Sequence, residues 1–127
     1  MSSCVLDASA VLAVLKGDAG GLTVLSSGLV SQISTVNLAE VYGRLIHVGM
    51  QGSPAWEAAH TIADEIVFYT QEHARLTAEL LPRTRSLGLG LGERACLALG
   101  IERKLPVLTA DKAWKALRVG VEIRVIR

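Results

Sequence analysis

Hydrophobic and polar positions switch repeatedly between a period of two and a period near 3.6 along the chain. "SCVL" (residues 3–6) predicts a short strand, and "ASAVLAVLKG" after it predicts a helix that is apolar nearly all round and therefore buried. Gly20 to Ser27 suggests a short second helix and "LVSQIS" a second strand. In "VNLAEVYGRLIHVG", Leu38, Val41, Tyr42 and Leu45 recur at i, i+3, i+4 and i+7, which is one face of a helix. Ser53 and Pro54 predict the start of another helix, with serine as cap and proline at the first helical position. "EIVFYT" follows as a strand, and Gln71 to Ser86 as a helix that tolerates or bends at Pro82. A glycine stretch leads to a helix from about Glu93 to Lys104, then a strand "PVLTA", a short helix "DKAWKAL" and a closing strand "VEIRVI".

Strands alternating with helices imply parallel crossovers, so the expected class is α/β: a three-layer α/β/α sandwich around a mainly parallel sheet of four to five strands. In open sheets of this kind, sites form outside the carboxyl ends of the strands. The 127 residues fit a single domain, 1–127, with one sizeable core. Hydrophobic residues make up 50% and mean hydropathy is +0.40, yet the longest apolar run, Ala10 to Leu15, falls far short of the ~20 residues of a membrane span. No basic stretch with a cleavage site opens the chain, and a cytoplasmic location is expected. Cys4 and Cys96 sit singly in apolar segments and His47, His60 and His73 are scattered, which argues against a disulfide framework or a zinc site.

The net charge of +1 hides an asymmetry: residues 1–82 carry three Lys/Arg against eight acids, and residues 83–127 ten against four. A basic surface near the C-terminus suits a polyanion or an acidic partner, and solvated helix faces account for the charges equally well. "GLGLGER" (residues 88–94) has the look of a phosphate-cradling loop, but helix rather than strand precedes it, so a nucleotide fingerprint lacks its context. The glycines are expected to form a flexible turn that delivers Glu93.

Four acids then stand at four helix starts. Asp7 and Asp111 each end a strand and open a helix, Glu40 is placed in the first turn of its helix away from Leu38 and Val41, and Glu93 heads an otherwise apolar helix. Each has a structural explanation. The aspartates suit N-caps, "NLAE" has capping-box spacing with Arg44 at i+4 from Glu40, and Glu93 complements a helix dipole. Together, at one sheet edge, they would gather four negative charges. A Mg2+ or Mn2+ ion, which prefers carboxylate oxygens, is the natural occupant, and such an ion activates water for attack on a phosphodiester.

The segments "VLDASAVLAVL", "ISTVNLAEV", "LGERACLALG" and "PVLTADKAWKAL", in this order and over essentially the whole length, resemble the PIN-domain ribonucleases of the VapC toxin type. The resemblance implies a metal-dependent endoribonuclease, the toxin of a type II toxin–antitoxin pair, that cleaves RNA such as tRNA with Mg2+ or Mn2+ and is neutralised by a cognate VapB-type antitoxin. It also implies a homodimer. The family's acidic site falls on Asp7, Glu40, Glu93 and Asp111, with Ser9 and Thr109 as supporting hydroxyls. Glu93 departs from the usual aspartate and adds about 1.5 Å of reach, leaving open whether it binds a metal directly or through water. Thr35 and Asn37 match a polar lead into the second acidic helix, where capping is the favoured role.

Arg94, Lys112 and Lys115, with Arg83, Arg85 and Arg118, are candidates for RNA phosphate contacts, a use not separable here from binding an acidic antitoxin. Trp114 is expected to pack, and Trp56, Tyr42 and Tyr69 to serve the core or a partner surface. The alternative to catalysis is a degenerate PIN-like module that binds RNA or protein without cutting. An aspartate-based phosphatase lacks its D-x-D pair here, "DAS" following the first strand, and a phosphoacceptor receiver lacks the second acid beside Asp7.

Overall fold

The computed structural model describes residues 2–127. Five strands form one sheet: β1 (Ser3–Leu6), β2 (Val30–Ser34), β3 (Glu65–Val67), β4 (Val107–Thr109) and β5 (Ile123–Val125). Every pairing is parallel and the order is β3-β2-β1-β4-β5. The α/β sandwich expected from the alternation of elements is therefore present, at five strands. Seven helices cover it: α1 (Ala8–Lys16), α2 (Ala19–Leu25), α3 (Thr35–His47), α4 (Gly52–His60), α5 (Gln71–Glu79), α6 (Leu81–Thr84) and α7 (Leu91–Arg103).

Alternation along the central strands divides the interior into two cores. Cys4, Leu6 and Leu108 point into one with Ala10, Val11, Leu38 and Val41 of α1 and α3. Val5 and Val107 point into the other with Cys96, Leu97 and Leu99 of α7 and the fully buried Trp114. Successive strand residues face opposite sides, and near-continuous apolar strands are what a sheet covered on both faces requires. Among the described residues no single helix is long and apolar enough to cross a membrane.

Several boundaries differ from those read off the sequence. α4 starts at Gly52 with Gln51 as its N-cap, so Pro54 lies inside the first turn and Ser53 is not the cap. The segment read as one helix to Ser86 breaks at Leu80, giving α5, then α6 with Pro82 in its first turn, then a 3-10 turn Arg85–Leu87. "DKAWKAL" is a 3-10 turn over Lys112–Ala116. His73 is a buried packing residue: with Thr70 it forms the capping box of α5, and its Nε2 meets Glu102 at 2.8 Å.

The strand order places the functional edge. β1, β2 and β3 proceed in one direction from the centre and β4 and β5 in the other, so the order reverses between β1 and β4. Crossover helices run antiparallel to the strands, which brings the N-termini of α1, α3 and α7 to the carboxyl edge, where α/β sheets open a crevice at such a reversal.

Candidate active site

Asp7 follows β1 directly and occupies the N-cap of α1 in extended backbone, but its side chain makes no cap hydrogen bond. It is held instead by two hydroxyls: Ser9 Oγ donates to Asp7 Oδ2 at 2.6 Å and Thr109 Oγ1 donates to the same oxygen at 3.0 Å. The hydroxyls are themselves fixed by accepting from backbone, Ser9 from the Ala110 amide at 2.9 Å and Thr109 from the Asp111 amide at 3.1 Å. Asp7 is only 4% exposed. Burial pushes its carboxyl pKa up, against the hydrogen bonds from Ser9 and Thr109 and the neighbouring amides of Ala8 and Ser9.

Glu40 lies in the second turn of α3 rather than the first, because Ser34, the last residue of β2, is already the N-cap and accepts from the Val36 amide at 3.2 Å. Asn37, expected to cap, is instead inside the first turn and wholly buried. Its Nδ2 donates to Glu40 Oε1 at 2.8 Å and to the Gly92 carbonyl at 2.9 Å, joining α3 to α7. Thr35 does not cap either; its hydroxyl accepts from the Tyr69 amide beyond β3. The possible Glu40–Arg44 ion pair is not formed among the described residues; Arg44 faces a groove between α1, α3 and α4.

The glycine stretch is not one flexible turn. Gly88 closes the 3-10 turn in the left-handed region at φ 65°, a conformation glycine adopts without a side-chain clash. Gly92 is inside α7, and a Cβ there would fall within the Glu40 carboxylate. Glycine at position 92 is thus what lets Glu40 rest on the backbone one residue before Glu93. Sequence reading found neither this contact nor the Asn37 bridge; the available signal was a glycine retained in a helical first turn, where alanine would favour the helix.

Glu93 is half-buried in the first turn of α7. Burial raises its pKa most, followed by the charges of Asp7, Asp111 and Glu40, with the Gly90 amide pulling the other way. It is the acid that senses all three others. Glu40 is raised by enclosure of its carboxyl end and by Asp7, against the Asn37 hydrogen bond. Asp111, exposed, caps the following 3-10 turn by accepting from the Ala113 amide at 3.0 Å.

Among the described residues none of these four acids has a Lys, Arg or His partner, whereas Glu72, Glu79, Glu102, Glu122 and Asp18 all do. Four uncompensated carboxylates at one sheet edge form a hard oxygen donor set whose chemistry fits Mg2+ or Mn2+. Among the described residues no three His, Cys, Asp or Glu stand close enough to grip one ion.

Of the candidate RNA contacts, Lys112 lines an open cavity of ≈ 490 Å³ with Ser9, Ala110, Asp111 and Arg127. Lys115 lines another beside Arg118 and Val119. Arg94 turns inward, its Nη1 donating to the Thr77 carbonyl at 3.0 Å and its Nε to the Leu89 carbonyl at 3.4 Å, so it braces α5 and the glycine stretch against α7. Tyr42 packs edge-on against Trp56, which stacks on His60 at 4.8 Å.

No protein-family model matches the chain, and no curated protein matches it. Solved structures do. A toxin–antitoxin complex from Klebsiella pneumoniae aligns at TM-score 0.75 and 16% identity over 98% of each chain. VapC20 of Mycobacterium tuberculosis, described as a sarcin-ricin loop cleaving toxin, aligns at TM-score 0.71 and 20% identity over 94% of this chain and 99% of its own. VapBC-5 from the same organism aligns at TM-score 0.63 and 22% identity over 100% and 99%. The fold is therefore that of a PIN-like α/β domain. More narrowly, it is the fold found in VapC toxins and their VapBC complexes.

Proposed function

We propose that this chain is a Mg2+- or Mn2+-dependent endoribonuclease and the toxin of a toxin–antitoxin pair, acting in the cytoplasm as a homodimer and neutralised by a VapB-type antitoxin. The observation that carries the reading is the set of four unpaired carboxylates, Asp7, Glu40, Glu93 and Asp111, at the carboxyl edge of a parallel sheet where its strand order reverses. These residues would hold the ion. When bound, it supplies Lewis acidity that makes a water nucleophilic near neutral pH and offsets charge on the phosphodiester.

The chain's own groups prepare that chemistry. Ser9 and Thr109 hold Asp7 through Oδ2, and no side chain hydrogen-bonds Oδ1 among the described residues. Burial of Asp7 keeps water from screening its charge. Lys112, beside Asp111 in the open cavity, would meet a backbone phosphate, and Lys115, in a separate cavity, is a second candidate for such a contact. Lys16 and Arg44 flank a mostly apolar groove of ≈ 360 Å³ lined by Leu12, Leu15, Leu45 and Val48, a surface complementary to an acidic amphipathic segment of the antitoxin.

Purified full chain, freed of any antitoxin, is expected to cleave RNA, tRNA included, with Mg2+ or Mn2+ and not in EDTA, and Asp7→Asn to abolish cleavage. No cleavage with either metal, or cleavage retained by Asp7→Asn, overturns the assignment. A second reading, a PIN-like module that binds RNA or protein without cutting, is favoured by the acids not converging three at a time. RNA binding indifferent to EDTA, with no calorimetric signal for metal, selects it.

A further inference from the structure

We propose that Asn37 is a positioning residue for the acidic site: its amide holds the Glu40 carboxylate against the first turn of α7 and so sets Glu40 beside Glu93. The inference rests on the reading of the four acids as a cation site. Asn37 has 0% exposure, and both hydrogens of its Nδ2 are used, one for Glu40 Oε1 three residues on and one for the Gly92 carbonyl 55 residues on. Both partners are acceptors, which fixes the orientation of the amide. Its other atom, Oδ1, is buried with no hydrogen-bond partner.

A buried carbonyl oxygen left unpartnered destabilises a fold. Capping does not account for the residue, since Ser34 already caps α3. Packing does not either, because an apolar side chain would fill the space without stranding an oxygen. What remains is the pair of hydrogen bonds. They bind together α3 and α7, the helices that carry Glu40 and Glu93, at the point where Gly92 admits the Glu40 carboxylate onto the backbone. Groups that orient a metal-binding side chain in this way typically govern metal affinity by about ten- to a hundredfold.

The test uses the full chain with Mn2+ as probe in isothermal calorimetry, alongside urea unfolding. Asn37→Ala and the similarly branched, uncharged Asn37→Leu are expected to fold and to weaken Mn2+ binding about tenfold or more. In a Glu40→Gln background Asn37→Ala should change Mn2+ affinity less than about twofold, because the residue acts through Glu40. RNA binding in EDTA should not change, a readout that general loosening of the structure would move. Wild-type Mn2+ affinity in both folded variants overturns the proposal alone, and so does failure of both variants to fold, which assigns Asn37 to the fold. Absence of Mn2+ binding by the wild type overturns the cation-site reading and this inference with it.

Discussion

Gly92→Ala separates packing at the site from ordinary helix energetics. Gly92 does not adopt positive φ, so by propensity alone alanine would stabilise α7 by up to about 1 kcal/mol. The new Cβ would occupy the place of the Glu40 carboxylate. That carboxylate is the end of a flexible, exposed side chain, so it swings away rather than forcing the backbone apart. Its departure breaks the 2.8 Å bond from Asn37, a hydrogen bond to a charged group worth about 1.5–3 kcal/mol. The net expectation is destabilisation by roughly 0.5–2 kcal/mol. With Glu40 first changed to Ala, nothing remains to displace and Gly92→Ala becomes stabilising by up to about 1 kcal/mol. Urea unfolding of the four proteins, with midpoints compared at constant m, measures the coupling, expected at about 1.5–3 kcal/mol. Additivity to within about 0.5 kcal/mol would refute the contact.

Asp7, Glu40 and Glu93 all have carboxyl pKa values raised, burial being the first cause of each. Stability from a raised acid is full below its unfolded pKa and is lost as pH rises through the folded one, so at neutral pH these ionisations oppose folding. Asp7→Asn should raise the metal-free Tm near pH 7, with the gain shrinking as pH falls into the carboxylate range, and should remove the Tm rise caused by Mg2+; a lower metal-free Tm at pH 7 contradicts this. Glu93→Asp withdraws the carboxylate by about 1.5 Å from the acid that senses all the others, and calorimetry should show Mg2+ bound several-fold more weakly; equal or tighter binding contradicts its central placement. Arg94→Ala should cost about 1–2 kcal/mol in urea unfolding by freeing the Thr77 and Leu89 carbonyls. Measured in an Asp7→Asn background, it should leave the salt dependence of RNA binding unchanged, whereas Lys112→Ala lowers that slope by about one; equal effects would return Arg94 to the phosphate contacts. Lys104 closes α7 at φ 56°, so Lys104→Gly should raise Tm, and an unchanged or lower Tm would argue against strain there.

The sandwich and the shared edge of the acids were legible because β1 and β4 each run into an aspartate that caps the next helical turn, at Leu6–Asp7 and Thr109–Asp111, and because helices between parallel strands start at the carboxyl edge. The strand order was not, since pairing partners leave no local periodicity. The start of α3 was misread for a local reason: β2 runs into α3 without a loop, so the last strand residue, Ser34, is already the cap and Thr35 and Asn37 fall inside the first turn. The capping role expected of Thr35 and Asn37 concealed that Asn37 faces inward. Arg94 was ambiguous because its bonds go to carbonyls of residues 77 and 89, and sequence gives no sign of which backbone oxygens lack partners. The glycines of residues 88–92 read as one unit although they have separate roles, which only the approach of a side chain from another helix distinguishes.

The pairing of β1 with β4 matches Val5 with Val107 and Leu6 with Leu108, and the Asp7 amide donates to the Leu108 carbonyl at 3.0 Å. Asp7 and the Thr109 hydroxyl that holds it thus come from opposite ends of the chain and meet only across the central strands. During synthesis an N-terminal portion can contain Asp7 and Glu40, but it has neither Asp111 nor the Thr109 hydroxyl that holds Asp7. Asp7 therefore gains its second hydroxyl partner only once β4 has docked against β1, so the environment of the first acid is completed by the last strands of the sheet to be made.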